Sequence, residues 1–173
     1  MNTTKNGTSF KSISDDNSKV LILWTSPWKK SLENWFYYVD PRNQFWKIVW
    51  DIYGENYLHE KTKAEKERFL LKNWIALWDI WETYKNYWWW SSDKGKKWWS
   101  FNKIKELVKK SNIKYIIVHS TKAEKGFKKY LKKEKWDFSS YYYLPSPSWA
   151  NTSKTLEEKK SIWKKKFKEL WLI

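Results

Sequence analysis

Residues 21–50 constrain the fold of this chain more than any other stretch. They begin within a short run, residues 20–23, that is apolar at every position, and they continue through a loop with Pro27 to an apolar helical pattern that opens at Asn43. A strand that is apolar on both faces is typical of the centre of a parallel sheet. Open α/β sheets place their sites where such strands end in a loop that faces a helix start. We therefore expect the functional site in this stretch.

Strand and helix patterns alternate along the rest of the chain. The predicted strands are residues 19–24, 75–80, 113–119 and 141–144, and the predicted helices are residues 43–53, 62–72, 102–110, 121–132 and 155–170. We predict an extended polar lead-in over residues 1–18 and a loop over residues 81–99. This alternation predicts a parallel α/β sheet with helices on both faces, and the length of 173 residues fits a single domain over residues 1–173.

Three of the predicted helices begin with the spacing of a capping box, in which a threonine and a glutamate three residues later satisfy each other's backbone amides. The pairs are Thr62 with Glu65, Thr121 with Glu124, and Thr155 with Glu158.

The composition narrows the chemistry that is available. The chain has no cysteine and two histidines, which excludes disulfides, thiol catalysis and cysteine-ligated metals. We expect no metal and no cofactor, so that carboxylates, amides, hydroxyls, lysines and water carry any reaction. The polar start and the lack of a long apolar run predict neither a secretion signal nor a membrane span. We expect a cytoplasmic, nucleoid-associated protein.

The formal net charge of +16 favours a polyanionic partner, since each phosphate that a lysine or arginine neutralises releases counterions. Nucleic acid is the leading partner class and an acidic membrane surface the lesser one. Arg42 and Arg68 are the two arginines. The codon bias expected of an AT-rich genome also raises the number of lysines. The net charge is therefore weaker evidence for a polyanionic partner.

Four blocks of sequence together resemble the uracil-DNA glycosylase superfamily. They are Leu21-Ile-Leu-Trp-Thr-Ser-Pro-Trp28, Tyr37-Tyr-Val-Asp-Pro-Arg-Asn-Gln-Phe-Trp46, Ile75-Ala-Leu-Trp-Asp79 and Leu144-Pro-Ser-Pro-Ser-Trp-Ala-Asn151. The likeness runs in collinear order from Phe10 to the C-terminus. It is nearest to the hypoxanthine-DNA (deoxyinosine) glycosylase branch and next to the mismatch-specific uracil/thymine glycosylases.

This resemblance implies a three-layer α/β/α sandwich with a four-stranded parallel sheet. It also implies a monomeric, monofunctional enzyme of base excision repair. Such an enzyme flips a deaminated base, hypoxanthine or uracil, out of double-stranded DNA and hydrolyses its N-glycosidic bond.

The resemblance also implies roles for single residues. Asn43 matches the catalytic asparagine of the hypoxanthine branch, whereas its position before an apolar helix alone indicates an N-cap. Tyr38 matches the aromatic residue that stacks on the flipped base, and core packing is the alternative. Thr25 and Ser26 line the first loop of the base pocket. The mismatch-specific branch has its catalytic asparagine at the place of Ser26, so serine favours the hypoxanthine branch.

A later loop and two departures complete the predicted site. The loop consists of Pro145, Ser146, Pro147 and Ser148. It matches a loop of the resembling family that enters the minor groove and holds phosphates, and a rigid turn is the alternative. Asp40 replaces a usual histidine in the base pocket, where it orients water or caps a turn. His119 replaces a usual base-reading asparagine, or is a satisfied residue at a strand end.

Tryptophan is abundant and glycine is scarce, with 17 Trp against 4 Gly, although average glycine usage of about 7% predicts roughly 12. Five tryptophans fall where the resembling family carries glycine: Trp24, Trp28, Trp35, Trp74 and Trp149. Trp46, Trp78 and Trp163 fall where it carries tryptophan. We hypothesise a codon reassignment, in which UGA encodes glycine and was translated here as tryptophan. The hypothesis makes residues 88–90 and 98–99 part of a flexible, glycine-containing loop.

Two other functions fit the same sequence. One is a non-enzymatic nucleic-acid-binding module whose Trp and Lys clusters in residues 88–99 stack on single-stranded bases. The other is a glycosylase fold that is inactive because Trp24 and Trp28 fill its site.

Overall fold

The computed structural model describes residues 4–54, 61–87 and 97–173. Its elements, in chain order, are β1 (Thr4–Thr8), β2 (Val20–Trp24), α1 (Lys29–Asn34), α2 (Phe45–Tyr53), α3 (Lys63–Lys72), β3 (Ile75–Asp79), β4 (Trp81–Tyr87), β5 (Lys97–Phe101), α4 (Ile104–Lys110), β6 (Tyr115–Val118), α5 (Thr121–Lys133), β7 (Tyr141–Tyr143) and α6 (Leu156–Glu169). The four predicted strands and five predicted helices are all present. Their ends lie within two residues of the predicted ones.

The main sheet has four parallel strands in the order β3-β2-β6-β7. Every residue of β2 is buried, because β2 has a neighbour on each side and helices on each face. Val20 and Ile22 enter a core shared with α2, α3 and α6, whereas Leu21 and Leu23 enter a second core shared with α4 and α5. Since successive side chains of a strand point to opposite faces, this division gives three layers, and the predicted α/β/α sandwich is confirmed.

A second sheet was not predicted. It is antiparallel, in the order β1-β4-β5, and it replaces part of the expected lead-in and of the expected loop over residues 81–99. The polar sequence of β1 has no strand pattern. It becomes a strand because β4 offers an open edge, which it meets in register from Thr4 opposite Tyr87 to Thr8 opposite Thr83.

The expected loop of tryptophans is therefore wrong in part. Trp98 and Trp99 belong to β5, while residues 88–90 lie outside the described residues.

The helix starts agree with two of the three predicted capping boxes. Thr62 with Glu65 and Thr155 with Glu158 form reciprocal boxes. The box predicted at Thr121 is wrong, because the side chain that caps α5 is Ser120, whose Oγ accepts a hydrogen bond of 3.0 Å from the amide of Ala123. Thr121 is instead the first helical residue. Helix α1 was missed, since its sequence KKSLEN lacks a helical apolar pattern.

Several helices end in a left-handed residue, the conformation that favours glycine at this position. Gly54 ends α2 in this way, with φ 69°. Among the described residues, five others have positive φ, namely Trp35, Tyr38, Trp74, Lys135 and Trp171. Trp35 follows α1 directly, and Trp74 and Trp171 lie one residue beyond the C-caps of α3 and α6.

The helices in the described ranges are short, the longest being the 14 residues of α6. Within those ranges we find no helix that is long and apolar enough to cross a membrane.

We predict that Ser120→Ala lowers the free energy of unfolding by about 1 kcal/mol, because it removes the side-chain cap of α5. Thr121→Ala, one residue further on, is the matched control and should change this free energy by less than about half as much. Urea denaturation of both variants measures the difference. An equal loss in the two would contradict the assignment of Ser120 as the cap.

Candidate active site

A pocket of about 200 Å³ lies where β2 ends and α2 begins. Because the main sheet is parallel, the carboxyl ends of its strands meet at this edge. The pocket is lined by Trp24, Trp28, Lys29, Lys30, Ser31, Tyr38, Asp40, Arg42, Asn43 and Trp149. Three of the predicted site residues, Tyr38, Asp40 and Asn43, therefore share one surface.

Asn43 is held rigidly at this surface. Its Oδ1 accepts a hydrogen bond of 2.9 Å from the amide of Phe45, the first residue of α2, and its own amide donates to the carbonyl of Asp40. The side chain is 8% exposed. The bond from the amide of Phe45, two residues on, forms an Asx turn that leads into α2, whose N-cap residue is Gln44, so the N-cap predicted at Asn43 is wrong by one residue. The bond uses one of the two lone pairs of Oδ1. We find no partner for Nδ2 in the described part of the chain.

Asp40 forms a bidentate ion pair with Arg42. Its Oδ2 lies 2.8 Å from Nη2 of Arg42, and its Oδ1 accepts from Nε and from the backbone amide of the same residue. These hydrogen bonds lower the pKa of Asp40 to about 2. The carboxylate is thus ionised at neutral pH and shapes the turn before Asn43, so it cannot serve as a general acid.

Tyr38 has an aromatic neighbour on each face of its ring. The Phe45 ring lies 3.9 Å away at 14°, and the Trp24 ring lies 4.5 Å away at 12°. The backbone of Tyr38 is left-handed, with φ 53°, a conformation that non-glycine residues adopt at a cost and that is concentrated at functional sites. Trp24 and Phe45 thus cover both faces of Tyr38, the residue on which the resemblance predicts that a flipped base stacks.

His119 lies directly after β6 and is 1% exposed. Its Nε2 shares a hydrogen bond of 2.6 Å with the hydroxyl of Tyr38, and its Nδ1 is buried without a partner among the described residues. Burial lowers the pKa of His119 to about 4, so the ring is neutral at physiological pH. It does not line the pocket, and Trp24 lies against it with ring centroids 6.5 Å apart.

Thr25 and Ser26 follow β2 as predicted, but both are buried and neither lines the pocket. The carbonyl of Thr25 accepts a hydrogen bond of 3.2 Å from the amide of Trp81. These two residues support the end of the strand in this structure.

The loop over residues 145–148 lies beside the turn of Asn43, and the residue after it, Trp149, reaches the pocket. The amide of Gln44 donates to the carbonyl of Pro147, at 2.8 Å, and Nε1 of Trp163 donates to the carbonyl of Pro145, at 3.0 Å. The hydroxyl of Ser146 accepts from the amide of Ser148, which makes the loop a rigid turn.

Lys159 is a residue that the sequence interpretation missed. It is 1% exposed, and its Nζ donates to Oε1 of Gln44 at 2.9 Å and to the carbonyls of Ser148 and Asn151 at 3.3 and 2.8 Å. Burial lowers its pKa. One signal was available, because Lys159 lies four residues before Trp163 and so belongs to the inward stripe of α6.

These contacts make Lys159 a link between the proline-serine loop and the start of α2. The ammonium group and the indole of Trp163 hold both ends of the loop, so the loop and the turn of Asn43 keep a fixed separation.

Comparison with known proteins agrees with this architecture. A solution NMR structure of a protein from Methanosarcina acetivorans, provisionally assigned as a uracil DNA glycosylase, superposes with a TM-score of 0.77 at 27% identity, over 96% of this chain and 99% of that one. The fold is therefore that of a uracil-DNA glycosylase.

Two curated relatives are named hypoxanthine DNA glycosylase. The one from Methanosarcina acetivorans is 37% identical over 71 residues, which are 41% of this chain and 44% of the relative. The one from Methanosarcina barkeri is 33% identical over 76 residues, or 44% and 48%. The matched region thus spans less than half the length of each relative. No family model matches. In fold and in part of its sequence, the chain is therefore similar to proteins of the uracil-DNA glycosylase superfamily.

We predict that Lys159→Met lowers the free energy of unfolding by about 1–3 kcal/mol, since it leaves buried carbonyl and amide oxygens without their donor. Amide hydrogen exchange at Gln44 should become faster, because its acceptor in the loop is released. Lys165→Met removes the same charge from an exposed position of α6 and is the control. Unchanged exchange at Gln44 in the Lys159 variant would contradict the linking role.

We also predict a pH dependence of stability that stems from His119. The folded pKa of about 4 lies below the ordinary value of about 6.5, so between these values the unfolded chain binds more protons, and stability falls as the pH falls. From pH 7.5 to pH 5, this loss should be about 2 kcal/mol greater than in His119→Asn. Urea denaturation at both pH values measures it, and parallel losses in the two proteins would refute it.

Proposed function

We propose that this protein is a monofunctional DNA glycosylase that removes a deaminated base, hypoxanthine in the first place, from double-stranded DNA. The observation that carries the proposal is the fixed side chain of Asn43 beside the ring of Tyr38, in one pocket at the carboxyl edge of the sheet. The names of the relatives support the choice of base.

The chemistry suits an amide in this place. When the N-glycosidic bond breaks, its electron pair leaves with the base and the sugar acquires oxocarbenium character, which a water molecule then quenches. Asn43 is fixed by its bond to the amide of Phe45, and the second lone pair of Oδ1 can accept a hydrogen bond from that water. An oriented water at a preorganised site lowers the barrier without a charged base.

Positively charged side chains and backbone groups near the pocket can bind the DNA backbone. Lys29, Lys30 and Arg42 line the pocket, and the whole chain carries a formal charge of +16. The rigid loop over residues 145–148, held beside Asn43, can fix a phosphate relative to the reacting sugar. A flipped base would then be positioned from both sides.

Selection of the base falls to His119 in this proposal. A neutral imidazole presents a hydrogen-bonding nitrogen without positive charge, and Nδ1 of His119 is buried without a partner among the described residues. A purine stacked on Tyr38 would place its edge near this ring, because the two side chains are hydrogen-bonded to each other.

A second candidate follows from the stacking of Trp24 on Tyr38. If this indole stays in place, the protein would bind DNA but release no base, as a glycosylase fold with a filled site. Binding and excision are therefore measured separately.

The test uses a duplex with one deoxyinosine, followed by alkali treatment that breaks the strand at an abasic site. We expect the chain with Trp24→Gly and Trp28→Gly to release hypoxanthine, and the unmodified chain to be much slower. DNA affinity, measured by fluorescence anisotropy, should be retained in both. No strand break at deoxyinosine or at deoxyuridine in either chain would refute the enzymatic function.

In the open-pocket chain, we predict that Asn43→Ala slows excision by roughly 100-fold or more at similar DNA affinity. Loss of the hydrogen bond that Oδ1 accepts from the amide of Phe45 should cost about 0.5–1.5 kcal/mol of stability. Asn112→Ala is the control, because Asn112 lies before β6, at the opposite edge of the sheet. A variant that is less stable but fully active would leave Asn43 with a structural role alone.

A further inference from the structure

Tryptophan occupies positions at which the backbone calls for glycine. Of the five non-glycine residues with positive φ among those described, three are tryptophans, Trp35, Trp74 and Trp171, with φ of 50°, 59° and 54°, whereas tryptophan makes up 17 of 173 residues. All three follow helices. Left-handed backbone is strained for L-residues, and glycine at this place is the common way to end a helix.

Two of these indoles gain little burial that could offset the backbone strain. Trp35 is 76% exposed and Trp171 is 84% exposed, and a large aromatic side chain in water gains little hydrophobic stabilisation. Trp74 is 38% exposed, and Nζ of Lys19 lies 3.6 Å from the centroid of its ring. Gly54 shows the alternative, since it ends α2 with the same left-handed geometry and has open space around it.

A second and independent sign comes from the pocket. Trp24 covers one face of Tyr38, and Trp28 lies beside Trp24 with ring centroids 5.9 Å apart. These two indoles occupy space that a ligand would need.

Other tryptophans fit their places well. Trp163 is fully buried within α6, and its Nε1 donates to the carbonyl of Pro145. Trp46 is 4% exposed within α2 and stacks on Phe36 at an angle of 5°. Trp46 and Trp163 are thus packed within helices, unlike Trp35, Trp74 and Trp171, which follow helix ends with left-handed backbone.

We propose that positions 24, 28, 35, 74 and 171 carry glycine in the native protein, because its gene uses UGA as a glycine codon, and that this glycine opens the pocket. Positions 35, 74 and 171 are included for their positive φ, and positions 24 and 28 because their indoles cover Tyr38 or lie beside the one that does. Position 171 was not among the positions that the sequence indicated, and it is included here because Trp171 has positive φ. Position 149 is left out because it meets neither condition: its backbone does not have positive φ, and its indole lies over the guanidinium of Arg42.

The consequence for the site deepens the proposed function and rests on it. Without the indoles of Trp24 and Trp28, one face of Tyr38 is free and the ring of His119 is no longer covered by Trp24. The space then suits a planar purine, stacked on Tyr38 and read at its edge by His119.

The gene and the native protein provide the first test. We expect UGA at codons 24, 28, 35, 74 and 171, and UGG at codons 46 and 163. Mass spectrometry of peptides from the protein made in its own cell should show glycine at the first five positions and tryptophan at the other two. Tryptophan at the first five in the native peptides would overturn the proposal, whatever the activity.

Stability provides the second test and needs no substrate. The triple variant Trp35→Gly, Trp74→Gly, Trp171→Gly should have a Tm raised by about 5 °C, because relief of the left-handed strain exceeds the added freedom of the unfolded chain. The matched control Trp46→Gly should lower the Tm by about 10 °C or more, since it empties a packed site. A lowered Tm in the triple variant would overturn the backbone argument.

These outcomes are separable from those of the proposed function. Glycine in the native peptides together with no excision by the open-pocket chain would refute the glycosylase and leave the recoding standing. Tryptophan in the native peptides together with excision would do the reverse.

Discussion

The burial of β2 on both faces is the constraint on which the rest of the structure depends. A strand with five consecutive buried residues needs a parallel neighbour on each side and helices on both faces, because every apolar side chain must leave water and every backbone group must be paired. That requirement sets the three layers. It also determines where the candidate site lies. All four parallel strands have their carboxyl ends at the same edge of the sheet, so the loops that follow β2, β6 and β7 meet there.

The helix at the end of the chain fixes how those loops meet. Trp163 and Phe167 of α6 pack in the same core as Val20 and Ile22, so the position of α6 is determined by the sheet. Lys159 lies on the same face of α6, and its hydrogen bonds fix the proline-serine loop and Gln44 relative to this helix. A buried ammonium group without a carboxylate among its hydrogen-bond partners is expensive unless its donors are all used. Here its donors hold the loop over residues 145–148 and the start of α2 at one separation. The proposed function needs this separation to be fixed, because the two segments would position a phosphate and the reacting sugar.

Tyr38 is held by contacts on both faces of its ring and at its hydroxyl. Phe45 holds one face of its ring, and His119 holds its hydroxyl. The remaining face points to the pocket and is covered by Trp24. Under the proposed function, a flipped base would stack on this face of Tyr38, and an indole at position 24 would block it. The proposed recoding relates the excess of tryptophan to the lack of glycine. At position 24, glycine would leave open the space beside Tyr38 that the indole now fills.

The sequence by itself determined the four strands of the main sheet and five of the six described helices, and it indicated the class of the protein. The apolar run of β2, the capping boxes of Thr62 and Thr155, and the blocks around Asn43 and Pro145 are local patterns, and they predicted the parallel sheet, the helix starts and the superfamily. Only the tertiary structure decided the second sheet, the cap by Ser120, the burial of Lys159 and the stacking of Trp24 on Tyr38. The physical reason is that these features depend on contacts between segments that lie far apart in the chain or on the backbone geometry at an element's end. A polar strand such as β1 or a lysine such as Lys159 looks like solvent-exposed sequence until the packed fold shows which edge and which cavity it meets.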